Sequence, residues 1–257
     1  MKKICYNKNM DDIEQNYEDF ISTVSHELRT PLTSIRGFSQ TILASWDKLD
    51  DESKKKFIKI IEEQSNRLIH LVENMLAVSK LQKENSHLVF NEVNIKTPIE
   101  QTVAIVKNQY PLHNFQINYG KNLPDIFVDK DKFLQILTNL IENSAKYSAD
   151  NSEIKIFAII ENNNVAISVS NIGIGIDEKD YDKIFTKFSR IDNPLTRKVQ
   201  GSGLGLYITK SLVEKMDGSI SVVSKPLNDN TGLSEITFKV LMPVKNIEEQ
   251  ARIKCSQ

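Results

Sequence analysis

Cysteine is scarce in this chain, with two among 257 residues, Cys5 and Cys255, at opposite ends and with no C-x-x-C spacing. That rules out a disulfide framework and a cysteine-based zinc site, and it fits a reducing compartment. Neither sign of charge dominates: 33 Lys+Arg against 34 Asp+Glu leave a formal charge of -1. No global basic field exists to draw the chain onto nucleic acid, and a nucleic-acid partner is not expected. No apolar run approaches the roughly 20 residues of a membrane span, and the start "MKKICYNKNMDD" has no hydrophobic leader core. The expectation is a soluble, cytoplasmic chain, whose only link to a membrane would be a sensor or anchor that is missing or separate. Repeats and low-complexity tracts are absent too, so shifts of composition must mark the boundaries.

Proline and glycine are thin in one stretch above all. Residues 11–82 hold one of each, Pro31 and Gly37, and carry apolar residues at helical spacing. Ile21, Val24, Leu28, Leu32, Ile35 and Ile42 form one stripe; Phe57, Ile60, Ile61, Leu68, Leu71, Val72, Met75 and Val78 form a second. "SWDKLDD" separates them, with Asp50 or Asp51 able to cap the new helix. Two long helices joined this way make an antiparallel hairpin whose core is too small to stand alone, so a second copy completing a four-helix bundle, a homodimer, is expected.

Beyond about residue 88 the pattern mixes strands and helices. A strand "LVFNEVNI" precedes Thr97-Pro98-Ile99-Glu100, which reads as a capping box opening a helix. Strands are expected at "FQIN", "IFV", "EIKIFAII", "VAISVSN", "SISVVS" and "EITFKVLM", and helices from about Asp131 to Ser148 and over "GLYITKSLVEKM". The fold class is α+β: an all-α hairpin over residues 15–84, then an α/β sandwich over 85–245 with helices on one face of a mixed sheet. A lead-in (1–14) and a tail (246–257) flank them.

Four clusters carry chemistry. In "VSHELRTPLTSIRGF" the apolar stripe lies nearly opposite His26, so the imidazole faces solvent. It is either an incidental surface histidine or a nucleophile, with Glu27 able to orient one ring nitrogen and accept its proton. Pro31 predicts a bend just past it. In "QILTNLIENSAKYS", Asn139 and Asn143 stand at i, i+4, with Lys146 and Tyr147 a turn further. Amide oxygens suit Mg²⁺, lysine suits phosphate and tyrosine can cover a base; the alternative is a plain polar face. "NIGIGI", Asn171–Ile176, and "GSGLGL", Gly201–Leu206, are glycine loops, of which the second runs into a helix start able to meet phosphate. Either alone could be a turn, and neither is a Rossmann fingerprint or a P-loop. Between them Phe185 and Phe188 read as core, and Arg190, Arg197 and Lys198 as part of a lid.

Together these segments resemble the catalytic core of the two-component sensor histidine kinases, from about residue 15 to residue 243. "FISTVSHELRTPLTSIRGF" is similar to that family's phosphoacceptor box, "IIEEQSNRLIHLVENMLAVSKL" to the second helix of its dimerisation hairpin, and "QILTNLIENSAKYS", "NIGIGI", "IFTKFSR" and "GSGLGL" to its nucleotide-binding boxes in order. The resemblance implies that ATP phosphorylates His26, with Glu27 as acid/base partner and Thr30 positioning water when phosphate is removed from the partner. It implies Mg²⁺ at Asn143 with support from Asn139, phosphate at Lys146 and adenine along Tyr147. Gly173, Gly175 and Ile176 would shape the base pocket with Asn171; Phe188, Arg190, Gly201, Gly203, Leu204, Gly205 and Leu206 would frame lid and phosphates. The implied partner is a response regulator receiver domain.

One position departs from the family: Asn171 stands where an aspartate usually accepts a hydrogen bond from the adenine amino group. Loss of the charge-assisted bond weakens binding by on the order of 1 kcal/mol and relaxes its selectivity for adenine. That departure keeps one non-enzymatic alternative open, a dimeric scaffold that binds the regulator without using ATP. An ATPase of the gyrase type is disfavoured, because Asn139 occupies the place of its water-activating glutamate.

Overall fold

The structure, a computed structural model, describes residues 2–81, 87–189, 201–227 and 231–244, with side chains described from residue 21 onward. The chain divides into two compact units, Met1–Ala77 and Val78–Gln257.

The first unit is the expected hairpin: α1 (Lys2–Ser45) and α2 (Asp51–Leu81). Asp50 caps α2, its carboxylate accepting the Ser53 N–H at 2.6 Å, which satisfies one of the otherwise orphaned first-turn donors. Helix α1 runs on through Pro31, which is buried. Proline lacks the N–H that would reach back to the Glu27 carbonyl. Beside that gap, the Thr30 hydroxyl donates to the His26 carbonyl at 3.3 Å. Phe38 and Phe57 pack across the hairpin with centroids 5.3 Å apart, and Ile42, Leu71 and Val78 are buried. Two helices cannot cover both stripes, however. Ile21, Leu32 and Val72, all counted as stripe residues, stay exposed, as do Leu43, Ile58 and Leu76.

The second unit is a five-stranded mixed sheet with helices on one face, plus a two-stranded ribbon. The large sheet has strand order β2-β4-β5-β7-β6, from β2 (Asn114–Tyr119), β4 (Glu153–Glu161), β5 (Asn164–Gly173), β6 (Ser219–Pro226) and β7 (Ser234–Pro243). Only the β2–β4 pairing is parallel. The ribbon pairs β1 (Phe90–Val93) with β3 (Ile126–Asp129). Helices α3 (Lys96–Gln109), α4 (Lys130–Lys146) and α5 (Gly205–Lys215) complete the unit. Strand side chains alternate between faces, so the inward column of β5 reads Val165, Ile167, Val169, Asn171, buried to the last residue. It packs against the apolar face of α4, where Phe133, Ile136, Leu140 and Ile141 are at most 1% exposed. A polar residue thus closes an apolar column.

Two boundaries differ from expectation. Thr97 is not a cap: α3 starts at Lys96 behind Ile95, whose side chain makes no capping bond, and the Lys96 N–H is instead taken by Asn94 Oδ1 at 3.2 Å. Burial of Ile95, 1% exposed, decides where the helix begins and leaves Pro98 within its first turn. Helix α4 ends at Lys146, so Tyr147 and Ser148 lie beyond it. At its other end Asp129 caps α4, Oδ1 accepting the Asp131 and Lys132 N–H groups at 3.1 Å while Oδ2 accepts the Val89 N–H at 2.9 Å. One buried carboxylate therefore joins ribbon to helix. Asp129→Ala is expected to destabilise this unit by about 2 kcal/mol, read as a lower midpoint in urea unfolding at unchanged m. An unchanged midpoint would show that the cap does no stabilising.

Candidate functional site

In the hairpin unit His26 is exposed, and its imidazole has no hydrogen-bond partner among the described residues. Its neighbour Glu27 is less free. The Glu27 carboxylate accepts from Arg67 Nη2 of α2 at 3.3 Å, and each of these side chains is 22% exposed. An ion pair largely shielded from water orders a carboxylate better than an exposed pair does. Arg67 was not singled out from sequence, because nothing in a 40-residue separation marks it until the hairpin turns back.

In the second unit the expected residues gather around the C-terminal half of α4. Asn139 and Asn143 follow one helical face, and Lys146 lies on the last turn. The Asn139 amide turns toward α5, its Nδ2 donating to the Gly205 carbonyl at 3.4 Å and to Thr209 Oγ1 at 3.3 Å. Asn139 thus fastens α4 to the first turn of α5, and Thr209, fully buried, is part of the fastening. The sequence signal for Thr209 was its place one turn after Gly205. Tyr147, the C-cap of α4, has left the helical face to which it was assigned. Lys146 Nζ stands 5.5 Å from its ring centroid.

The glycine loop crosses this end of α4. A Cβ on Gly201 would lie 2.9 Å from Lys146 Nζ and 3.6 Å from the Tyr147 hydroxyl, so the backbone of the loop approaches both. Gly203 has φ +68°, and a Cβ there would meet the Phe188 carbonyl carbon at 2.7 Å, so only glycine fits. Phe188 itself sits at φ +58°, a strained setting for an aromatic residue. Leu204 is fully buried and provides no side-chain cap, leaving first-turn N–H groups of α5 available to an anion. Gly205 starts α5, 3.7 Å from Asn139 Oδ1 measured from its notional Cβ, and Leu206 follows. Arg190, Arg197 and Lys198 of the expected lid lie outside the described residues.

At the end of β5, Asn171 is 2% exposed and its Nδ2 has no hydrogen-bond partner among the described residues. A Cβ on Gly173 would stand 2.2 Å from the Tyr147 carbonyl oxygen, because Ser148 pairs with Gly173 and the Ala149 N–H donates to the Ile172 carbonyl at 2.8 Å. Beyond it the Ile176 N–H donates to Ser224 Oγ at 3.0 Å, and a Cβ on Gly175 would meet Ser234 Oγ at 2.5 Å. The Tyr181 hydroxyl accepts from the Ser224 N–H at 2.6 Å, tying the following turn to β6. Ser224, Ser234 and Tyr181 escaped the sequence reading because strand register alone brings them to "NIGIGI". From the end of α3, Tyr110 reaches the same region. Burial first, then the Glu142 carboxylate and the Tyr147 phenol, push its phenol above the ordinary tyrosine range.

What gathers in this unit is a buried amide at the end of β5, a cation and an aromatic ring at the end of α4, and a glycine-lined helix start, features suited to a nucleotide; the other unit is a helical hairpin that exposes a histidine. Residues 17–84 match the His Kinase A (phospho-acceptor) domain, and residues 128–245 match the histidine kinase-, DNA gyrase B- and HSP90-like ATPase domain. The signal transduction histidine-protein kinase ArlS of Staphylococcus haemolyticus (strain JCSC1435) is 32% identical over 239 residues, 92% of this chain and 51% of that protein. The sensor histidine kinase WalK of Bacillus subtilis (strain 168) is 34% identical over 217 residues, 81% of this chain and 34% of that protein. Among solved structures, the histidine kinase ThkA in complex with response regulator protein TrrA aligns at a TM-score of 0.69 and 26% identity, over 93% of this chain and 66% of that one. The chain belongs to the two-component sensor histidine kinases, of which it carries the catalytic core. It spans about half the length of the ArlS relative and a third of WalK. Among the described residues no helix is long and apolar enough to cross a membrane.

Proposed function

We propose that this core transfers the γ-phosphoryl group of ATP to His26 and then to an aspartate of a response regulator receiver domain. The observation that carries the reading is the pairing of an exposed, unengaged imidazole beside a held carboxylate with a nucleotide-binding unit of the matching family. In the first step one ring nitrogen of His26 attacks the γ-phosphorus in line. The new N–P bond forms as the bond to the β-phosphate oxygen breaks, ADP leaves, and Glu27 takes the ring proton. Lys146 neutralises phosphate charge, Tyr147 covers the base, Asn171 reads its edge, and the N–H groups of α5 receive the phosphates. Thr30 positions water for hydrolysis of the aspartyl phosphate on the regulator, which releases inorganic phosphate.

The donor set near the phosphates fits Mg²⁺ that arrives with the nucleotide. It offers the amide oxygen of Asn143 with Asn139 nearby, while no group of three His, Cys, Asp or Glu that could hold an ion by itself occurs among the described residues. When bound, the ion screens the phosphate charge and orients the leaving group. The apolar side chains exposed on α1 and α2 support pairing with a second copy, and the proposed use of ATP supports a cytoplasmic setting for the segment. The scaffold alternative is not favoured, because both units match the domains of histidine kinases.

Incubation of the purified protein with radiolabelled ATP and Mg²⁺ tests this: acid-labile, alkali-stable label is expected on the protein. Absence of label under conditions where ATP binds would sink the kinase reading.

Arg67 acts through Glu27 as a positioning residue. Arg67→Ala is expected to slow autophosphorylation about three- to tenfold, on the order of 1 kcal/mol of barrier, with ATP affinity unchanged and Arg67→Lys recovering part of the rate. Equal rates in all three proteins would show that the ion pair is only structural.

A further inference from the structure

The Asn171 amide is buried, and its Nδ2 has no hydrogen-bond partner among the described residues. Asn171 is 2% exposed, ends the inward column of β5, and lies directly opposite Ile236 of β7, itself 4% exposed and unable to hydrogen-bond through its side chain. Asn171 Nδ2 lies 3.3 Å from where a Cβ on Gly173 would sit. No side-chain hydrogen bond among the described residues holds the amide in either of its two orientations. Either amide atom can therefore be turned toward a ligand, Oδ1 to accept or Nδ2 to donate, without breaking a side-chain hydrogen bond among the described residues.

From this we infer that the nucleotide site accepts 6-oxopurine triphosphates, of the inosine and guanosine type, alongside ATP. The inference rests on the assignment of Asn171 to the base edge made above. With adenine, Oδ1 accepts from the 6-amino group and Nδ2 donates to N1. With a 6-oxopurine the amide turns over: Nδ2 donates to O6 and Oδ1 accepts from the N1 hydrogen. The two arrangements use the same pair of hydrogen bonds, and no side-chain hydrogen bond among the described residues favours one over the other. A carboxylate at this place could only accept, so it would serve the 6-amino group and face the lone pairs of O6. The Asn171 amide is therefore a specificity-determining group that widens the choice of base; ribose and triphosphate contacts are common to all these nucleotides.

Calorimetric titration of the whole chain with ATP and with ITP in the presence of Mg²⁺ tests this, alongside Asn171→Asp. The wild-type Kd for ITP is expected within roughly tenfold of that for ATP, and Asn171→Asp is expected to widen the ratio at least about tenfold further toward ATP. Tight ATP binding with ITP rejected by about a hundredfold or more in the wild type overturns the inference and leaves the base-site assignment standing. A ratio unmoved by Asn171→Asp overturns it too. Failure of both nucleotides to bind would bring down the base-site assignment and this inference with it. Should Asn171→Asp not fold, the wild-type ratio decides alone.

Discussion

His26→Ala is expected to carry no phosphoryl label, a fall of at least about a thousandfold that reaches the detection limit, while binding ATP as the wild type does. The magnitude follows from the chemistry. Removing the attacking nitrogen removes the proposed acceptor of the N–P bond, and its neighbours on α1 cannot substitute: Glu27 and Thr30 are oxygen groups already engaged, by Arg67 and by the His26 carbonyl. The clean separation from stability follows from the structure. The imidazole is exposed and unpaired, and replacing such a side chain on a helix changes stability by about 0.5 kcal/mol or less. Labelling with radioactive ATP, next to a thermal unfolding curve and an ATP titration, checks all three expectations. Label of wild-type intensity on His26→Ala would place the acceptor elsewhere in the chain.

The second large effect is expected from a single methyl group. Gly173→Ala puts a carbon 2.2 Å from the Tyr147 carbonyl oxygen, a backbone atom that cannot swing aside. To relieve the overlap, the chain leaving α4 must separate from β5, breaking the Ser148–Gly173 pairing and displacing Tyr147 and Asn171 together. Overpacking of this kind costs about 1–3 kcal/mol or more, which for a unit of this size lowers Tm by roughly 3–10 °C. Nucleotide affinity is expected to fall at least about thirtyfold, because two base contacts move at once. Gly201→Ala supplies the contrast. Its methyl meets the end of the Lys146 side chain, which can give way, and the Tyr147 hydroxyl at ordinary contact distance, so affinity should fall less than about fivefold and Tm hardly at all. A Gly173→Ala protein with normal affinity and Tm would mean that the close approach of α4 and β5 is not needed for the site.

These contrasts also mark how far the sequence could be read. His26 was placed on solvent by a period of 3.6 against its apolar stripe, and Asn139, Asn143 and Lys146 were placed along one helix by their spacing. Helical periodicity is a local property, so both readings needed no knowledge of the rest of the chain. The same local reasoning put the start of α3 at Thr97 and kept Tyr147 on α4. Burial of Ile95 and the pairing of Ser148 with Gly173 overrode it at both ends.

Residues that share a site but not an element stayed hidden. Arg67 reaches Glu27 because two helices fold back on one another, and Ser224 and Ser234 reach the glycine loop because β6 and β7 pair in one register and not another. A shift of one residue would turn those serines to the opposite face. Local pattern along the chain was therefore enough to place a helical hairpin, an exposed histidine and the helix that carries Asn139, Asn143 and Lys146, since each depends on contacts within a few residues. Partners across the hairpin and across the sheet, the αL backbone at Phe188 and Gly203, and the empty hydrogen-bonding capacity of Asn171 depend on which distant atoms meet, and packing alone decides that.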